Sequence, residues 1–220
     1  MARETLEQKQ RRTRRLLAQL QKLYPQAKCS LEHDDPWQLL VATILSAQCT
    51  DVRVNMVTPI LFKALPGPRE MAAAPLEKIE KLIQSTGFYR NKAKALQAAA
   101  TDILEKHGGK VPSHMEELTA LRGVGRKTAN VVLGNAFGQN VGVVVDTHVG
   151  RLAQRLGLTT QSNPEKVEQD LMKLVPQEDW TLWSHLLIYH GRALCLARKP
   201  ACERCPLVKD CPTGAKAVKK

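Results

Sequence analysis

The 220-residue sequence lacks the features that mark membrane, secreted and repeat proteins. No uninterrupted apolar run approaches the ~20 residues that a membrane-spanning helix needs. The N-terminal stretch "MARETLEQKQRRTRR" has no apolar core of the kind found in a secretory signal. No repeat of fixed period appears along the chain. We therefore expect a globular protein of the reducing cytoplasm, in which the six cysteines are not disulfide-bonded.

A second β-strand is also missing from the sequence. The run "VGVVVDTH" is the one strand-like segment, and no other segment offers it a pairing partner, so we expect it to be a buried connector. Elsewhere apolar residues recur at helical spacing, as they do at Leu16, Leu17, Leu20 and Leu23. The sequence therefore predicts an all-α fold.

Several helix boundaries are marked by capping residues and prolines. Helix starts are predicted at Asp35 with Pro36, at Pro75, at Ser113 with Glu116 as a capping box, and at Asn163 with Pro164. The segment from Pro36 to about Ala47 is apolar nearly all round, which predicts a central helix enclosed by others. Pro59 is predicted to shorten or kink the helix that follows.

Positive charge exceeds negative charge by a wide margin. The formal net charge is +12, and the basic residues lie in stretches such as "QRRTRR", "YRNKAK" and "LARKP". A distributed excess of this kind indicates a polyanionic partner. A solvated basic surface without a partner is the alternative, because charge alone does not distinguish the two.

The stretch "LRGVGRKTANVVL", residues 121 to 133, predicts a helix, a glycine turn and a second helix. Gly123 and Gly125 permit unusual backbone angles and leave no side chain to block a close approach. Consecutive N–H groups can therefore point at an anion such as a nucleic-acid phosphate. An ordinary turn between two helices is the alternative.

Lys127 lies at the start of the second helix, where the helix dipole disfavours a cation. It either holds a phosphate or acts as a nucleophile, and only a nucleophile has to be neutral. Lowering the pKa of a lysine from about 10.4 to 7 or 8 requires about 4 kcal/mol, whereas a helix terminus supplies at most about 2. A nucleophilic lysine therefore needs desolvation in a closed protein–DNA pocket, so we expect Lys127 to face a cleft.

Asp146 follows a run of valines and is the candidate carboxylate for such a reaction. In a poorly solvated setting an ionised carboxylate stabilises a developing positive charge on a sugar ring. Asp146 is also a good N-cap for a helix that starts at Thr147, and the two roles are compatible. His148 is a candidate for positioning substrate or phosphate, with a structural role as the alternative.

Four cysteines near the C-terminus, Cys195, Cys202, Cys205 and Cys211, have the spacing C-x6-C-x2-C-x5-C. This spacing predicts one metal centre. Zinc and a 4Fe-4S cluster both accept four cysteines, so the ligands alone leave both possibilities open. Cys29 and Cys49 fall outside the pattern and are predicted to be buried free thiols.

Taken together, "LRGVGRKTANVVL", "VDTHVGRLAQRLG", "HGRALC" and the cysteine spacing resemble endonuclease III, of the helix-hairpin-helix DNA glycosylases. The resemblance implies that Lys127 is the Schiff-base lysine and Asp146 the catalytic aspartate. It also favours a 4Fe-4S cluster over zinc, in a structural role that fixes a DNA-binding loop carrying Arg198 and Lys199.

The same resemblance implies further contacts with DNA. Gln48 matches the glutamine that fills the space left by an extruded nucleotide, and Phe88 matches the wedge position, where leucine is commoner in the family. The hairpin residues and His148 complete the expected DNA contacts: Leu121, Gly123, Val124, Gly125 and His148. Without the resemblance, Phe88 reads as a core residue and Gln48 as a polar residue at a helix end.

The expectation is thus an all-α protein of two helical domains. Residues 29–140 form a barrel of about six helices with the hairpin, and residues 1–28 with 141–220 form a discontinuous cluster domain, with the active site in the cleft between them. The implied activity is that of a monomeric bifunctional DNA glycosylase and AP lyase, acting on oxidised pyrimidines or abasic sites in double-stranded DNA at the nucleoid. The alternatives are a monofunctional adenine glycosylase relative and a non-catalytic zinc-containing DNA-binding module.

Overall fold

The computed structural model describes residues 4–218, and these residues form helices joined by turns, with no β-strand. The all-α prediction is therefore confirmed. The chain divides into two compact units, Cys29–Gln139 and Met1–Lys28 with Asn140–Lys220. Of the helices between residues 4 and 218, none combines the length and the apolar character that crossing a membrane requires.

The continuous unit, Cys29–Gln139, contains seven α-helices within the described chain, one more than the six expected from the sequence. They are α2 (Pro36–Leu45), α3 (Asp51–Ala64), α4 (Pro68–Ala73), α5 (Leu76–Ile83), α6 (Tyr89–His107), α7 (Met115–Ala120) and α8 (Arg126–Ala136). A 3-10 turn, Gln84–Thr86, joins α5 to α6.

Helix α2 is the centre of this unit, because it packs against α3, α6 and α8. Asp35 caps it by accepting a hydrogen bond from the N–H of Gln38, and Pro36 occupies its first turn. Seven of its ten residues are buried, as the nearly continuous apolar sequence predicts. Helix α2 and the facing side of α6 both contribute buried side chains to the unit's apolar core.

One predicted helix start in this unit is wrong. Helix α7 begins at Met115 with His114 as its N-cap, so Ser113 lies outside the helix and forms no capping box. Helix α3 continues through Pro59 to Ala64 without being shortened. Because Pro59 lies on the exposed face of α3, water can hydrogen-bond to the carbonyl that its missing N–H leaves free.

The second unit consists of α1 (Leu6–Leu23), α9 (Thr147–Arg155), α10 (Pro164–Met172), α11 (Trp180–Ala193) and α12 (Pro212–Ala217). Helices α1 and α9 pack on α11, around the fully buried Trp183. The buried Arg12 of α1 donates to the carbonyls of Leu156 and Asp210, at 2.7 and 2.9 Å. One guanidinium therefore connects the N-terminal helix to the end of α9 and to the cysteine-rich segment.

Candidate functional site

The glycine hairpin lies between α7 and α8, and its two glycines have different roles. Gly123 has φ 81°, and a Cβ there would lie 2.8 Å from the Cβ of Ala95, so both the backbone conformation and the contact with α6 require glycine. Gly125 is the N-cap of α8 with φ −93°, so the expectation of an unusual backbone angle is wrong at this position. A Cβ at position 125 would meet nothing within 4 Å. The backbone at the start of α8 is therefore open to close approach by an anion.

Lys127 is the second residue of α8, and its side chain is exposed. This exposure counts against the expectation of a desolvated amine, because the fold of this unit does not exclude water from the side chain. Leu121 and Val124 are buried, at 3% and 5% exposure, and their backbone N–H groups already donate to the carbonyls of Leu118 and Leu121. The hairpin thus presents an amine and backbone N–H groups, not apolar side chains.

Asp146 is the N-cap of α9, as the sequence predicts. Its Oδ1 accepts a hydrogen bond from the N–H of Val149 at 2.8 Å. The preceding residues Val143, Val144 and Val145 are buried in a connector that forms no strand, and the N–H of Val144 donates to the Oγ of Ser184 at 3.0 Å. Asp146 itself is half-buried, so the cap leaves part of the carboxylate accessible for a second role.

His148 is the second residue of the same helix and lies against α11. The Nη2 of Arg151 lies 3.2 Å from its Nδ1 and also donates to the carbonyls of Gly191 and Cys195. Burial lowers the pKa of His148, and the carboxylate of Asp146 opposes this effect. These contacts fix the ring of His148 beside the capping carboxylate.

Backbone strain coincides with three of the predicted DNA contacts. Within residues 4–218, the non-glycine residues with positive φ are Gln48, Phe88 and Lys199, at 53°, 48° and 52°. Each such conformation costs about 1–2 kcal/mol, and strained residues of this kind cluster at functional sites. All three residues are exposed, with Phe88 at 62%, which contradicts the alternative that Phe88 is a core residue. Arg198, beside Lys199, is exposed as well.

The four C-terminal cysteines line one cavity, together with Arg155, His190 and apolar side chains. Burial raises the pKa of the Cys205 and Cys211 thiols, and a bound metal would favour their ionised form. In the described part of the chain, no three His, Cys, Asp or Glu side chains are arranged around a single metal ion. Four cysteines are the ligand set of a 4Fe-4S cluster and of a tetrahedral zinc site alike.

Nitrogen atoms approach three of the four sulfurs. The Nη1 of Arg155 lies 3.3 Å from the Sγ of Cys195, the N–H of Gly214 donates to the Sγ of Cys211 at 3.3 Å, and the Nε2 of His190 lies 3.4 Å from the Sγ of Cys205. Hydrogen bonds to cysteine sulfurs stabilise thiolates and influence the potential of an iron–sulfur centre. The cavity therefore fits an iron–sulfur cluster in its ligands and in their surroundings.

Arg155 also fixes the backbone that follows the first cysteine. Its Nη1 donates to the carbonyl of Leu196 at 2.7 Å, and its Nη2 donates to that of Ala197 at 2.9 Å. Because Arg155 is the last residue of α9, the helix that Asp146 caps also holds the start of the cysteine loop.

Comparison with known proteins identifies the family. The model for the HhH-GPD superfamily of base excision DNA repair proteins matches residues 41–177, and the model for the iron–sulfur binding domain of endonuclease III matches residues 195–211. The chain belongs to the HhH-GPD superfamily. Within it, the chain belongs to the endonuclease III family, since it is 57% identical over 214 residues to the endonuclease III of Synechocystis sp. (strain ATCC 27184 / PCC 6803 / Kazusa), with 97% of each chain covered.

Solved structures of the family have the same fold. A non-covalent endonuclease III–DNA complex superposes with a TM-score of 0.90 at 43% identity, covering 96% of this chain and 99% of that one. A trapped covalent endonuclease III–DNA intermediate also has a TM-score of 0.90 at 43% identity, with 95% and 98% covered. This protein is therefore a base excision repair enzyme, a DNA glycosylase with AP lyase activity, and carries a 4Fe-4S cluster.

Several side chains that support the site were not identified from the sequence. Arg151 and Arg155 are one helical turn apart in the sequence. Nothing in that spacing indicates that they contact the cysteine loop. His190 and Gly191 begin the quoted motif "HGRALC", but the motif alone gives neither of them a role. In the sequence Lys92 looks like the other basic residues of "YRNKAK". In the structure it is buried, at 5% exposure, whereas Arg90 and Lys94 are exposed.

Proposed function

We propose that this enzyme removes oxidised pyrimidines from double-stranded DNA and then cleaves the strand, with Lys127 as the nucleophile and Asp146 as its partner. The observation that carries this proposal is the hairpin itself. It presents an exposed primary amine one residue into a helix whose N-terminal backbone is open at Gly125. A phosphate bound at that helix end brings a sugar within reach of the amine.

The proposed reaction has two stages. The Nζ of Lys127 bonds to C1′ of the deoxyribose, the glycosidic bond breaks, and the base leaves with its electron pair. Ring opening gives a Schiff base between Nζ and C1′. Loss of a proton from C2′ then expels the 3′ phosphate oxygen, which breaks the strand by β-elimination.

Asp146 supports both stages in this proposal. Its carboxylate stabilises positive charge that develops on the sugar and assists proton movement during ring opening. Its position as N-cap of α9 holds one oxygen through the N–H of Val149, so the carboxylate is oriented before DNA binds. Pre-orientation of this kind reduces the reorganisation that the reaction requires.

The nucleotide has to leave the duplex before Lys127 can reach C1′. Extrusion costs a few kcal/mol. We propose that Gln48 fills the vacated space and that Phe88 enters the base stack as a wedge. Their exposure and their left-handed backbone support these roles, because neither residue gains anything for the fold from a strained and exposed position.

The cluster loop contributes binding and not chemistry. Cys195, Cys202, Cys205 and Cys211 would hold the cluster, which stabilises the loop around it. That loop carries Arg198 and Lys199, whose exposed charges are proposed to meet the phosphate backbone. The net charge of +12 favours binding to DNA and opposes self-association. We therefore expect the protein to act as a monomer on cytoplasmic DNA, at the nucleoid.

A panel of duplexes tests this assignment. Duplexes with one thymine glycol, one abasic site, an adenine opposite 8-oxoguanine or no damage are incubated with the wild type and Lys127→Gln. The proposal predicts excision of thymine glycol and strand cleavage at both thymine glycol and the abasic site, by the wild type alone. Excision of the adenine without strand cleavage would instead assign the protein to the monofunctional adenine glycosylases.

A further inference from the structure

One buried cation in the hairpin-bearing unit has no place in the reaction described above. Lys92 lies in the first turn of α6 and is 5% exposed. Its Nζ donates to the carbonyl of Leu45 at 2.8 Å and to that of Thr86 at 2.9 Å. Among the described residues no carboxylate forms an ion pair with it. A buried ammonium without a counter-charge is expensive, and an apolar side chain of similar length would fill the same space at lower cost.

The two carbonyls belong to the two turns that carry the strained residues. Leu45 is the last residue of α2, three positions before Gln48, and its carbonyl lies at the negative end of that helix. Thr86 is the last residue of the 3-10 turn, two positions before Phe88. The backbone N–H of Lys92 also donates to the carbonyl of Phe88 at 3.1 Å. The backbone bond to Phe88 is an ordinary helical hydrogen bond of α6, whereas the Nζ joins the turn that carries Phe88 (the Phe88 turn) to the turn that carries Gln48 (the Gln48 turn).

Neither turn has a side-chain cap that would replace this contact. Ser46 donates its Oγ to Thr43, within its own turn, and Thr86 donates its Oγ1 to Ile83, also locally. The 3-10 turn and the start of α6 form no side-chain cap hydrogen bond. The side chain of Lys92 thus joins the two turns through hydrogen bonds.

We propose that Lys92 is a positioning residue that sets the spacing between the Gln48 and Phe88 turns, so that the filling residue and the wedge enter a duplex together. This inference rests on the proposed roles of Gln48 and Phe88. Because the ammonium is buried, it contacts neither phosphate nor base, and its effect on DNA passes through the two turns. The inference therefore separates Lys92 from the exposed lysines that increase affinity for any DNA.

The test uses the cluster-containing protein and a duplex in which 2-aminopurine flanks a tetrahydrofuran abasic analogue, which the enzyme cannot cleave. Fluorescence reports the unstacking that the wedge causes. For Lys92→Met we expect the unstacking equilibrium to fall about tenfold, because two buried carbonyls lose a charged donor. Affinity for undamaged duplex and its salt dependence are expected to stay at the wild-type values. A phosphate-contacting lysine would instead reduce the salt slope by about one unit.

Lys94→Met is the matched control, because it removes the same charge two residues further along α6 from an exposed position. It is expected to leave unstacking unchanged. Lys92→Gln keeps one amide donor and is expected to give a partial loss, so it decides the question if Lys92→Met does not fold. In Lys92→Met, adding Phe88→Ala is expected to cause little further loss, since coupled residues are not additive.

Different outcomes would overturn the positioning role of Lys92 and the proposed roles of Gln48 and Phe88. Wild-type unstacking by Lys92→Met or Lys92→Gln, or a reduced salt slope, would overturn the positioning role. If Phe88→Ala and Gln48→Ala both unstack the probe as well as the wild type does, the proposed wedge and filling roles fail first. If Phe88→Ala and Lys92→Met both lose unstacking of the probe while Lys94→Met unstacks it as well as the wild type does, the wedge role of Phe88 and the positioning role of Lys92 are both supported.

Discussion

A Cβ added to Gly191 would lie 2.8 Å from the Nδ1 of His148, closer than real Cβ atoms approach a neighbour. The same Cβ would lie 3.0 Å from the Nη2 of Arg151 and 3.2 Å from the Cβ of His148. The absence of a side chain at position 191 therefore allows α11 to pack closely on α9. Since Asp146 caps α9, the geometry of the proposed catalytic carboxylate depends on this contact.

Gly191→Ala is accordingly expected to lower the rate of base excision at least tenfold and to destabilise the fold by about 1–3 kcal/mol, as overpacking does. Single-turnover rates on a thymine glycol duplex and thermal melts measure the two effects. Gly150→Ala is the matched control in α9, because its Cβ would make an ordinary contact of 3.8 Å with Val145. The control should keep its activity and melt no lower than the wild type. Full activity in Gly191→Ala would show that the close packing does not matter for the reaction.

Arg155→Met tests whether α9 stabilises the cluster loop. The substitution removes the donor to the Sγ of Cys195 and those to the carbonyls of Leu196 and Ala197. We expect the absorbance near 400 nm to decay about tenfold faster in the presence of a chelator, because loss of a group that supports a metal ligand typically costs 10- to 100-fold in metal affinity. Arg14→Met, at an exposed position in α1, should decay at the wild-type rate. Equal decay in the two variants would contradict the supporting role of Arg155.

Phe88→Gly is expected to stabilise the folded protein and to lower its rate of base excision. Glycine adopts the left-handed backbone of position 88 without the penalty of about 1–2 kcal/mol, and little burial is lost because Phe88 is 62% exposed. Loss of the wedge should lower excision from duplex DNA by about 10- to 100-fold, given that base stacking on an aromatic ring is worth about 1–3 kcal/mol. Melting temperature and single-turnover excision are the two measurements. Lower stability combined with unchanged excision would refute both the strain and the wedge.

The stability of the protein should decrease as the pH falls from about 6.5 toward 4. Burial lowers the pKa of His185 from 6.5 to about 4, so in this interval the unfolded chain takes up a proton that the folded chain does not. Protonation therefore favours unfolding, by about 1.4 kcal/mol for each pH unit in the window. The urea midpoint measured at pH 7 and pH 5 should fall less in His185→Gln than in the wild type. His114→Gln, at an exposed position, serves as control, and a similar decrease in all three proteins would exclude His185 as the cause.

Motifs with fixed local spacing could be predicted from the sequence, and long-range contacts could not. The all-α fold, the caps at Asp35, Asp146 and Asn163, and the shared cavity of the four cysteines follow from residues close together in the chain. The predicted capping box at Ser113 is wrong, because α7 begins one residue later, with His114 at the N-cap and no side-chain cap hydrogen bond.

The roles of Lys92 and Arg155 depend on partners 47 and 40 residues away, and nothing in a local pattern indicates such pairs. Positive φ at Gln48, Phe88 and Lys199 was equally unpredictable, because glycine or asparagine is the usual residue in that conformation. The exposure of Lys127 was not expected either, since the sequence argument required a desolvated amine. A nucleophilic role for Lys127 would therefore require bound DNA to desolvate the amine.

The identity of the nucleophile is the central claim, and covalent trapping tests it most directly. Borohydride reduces the Schiff base formed on an abasic duplex, and digestion followed by mass spectrometry locates the reduced sugar on the protein. The account predicts that the label is on the Nζ of Lys127 and that Lys127→Gln gives no adduct while still binding the duplex. A label on another amine, or an adduct of normal yield in Lys127→Gln, would contradict it.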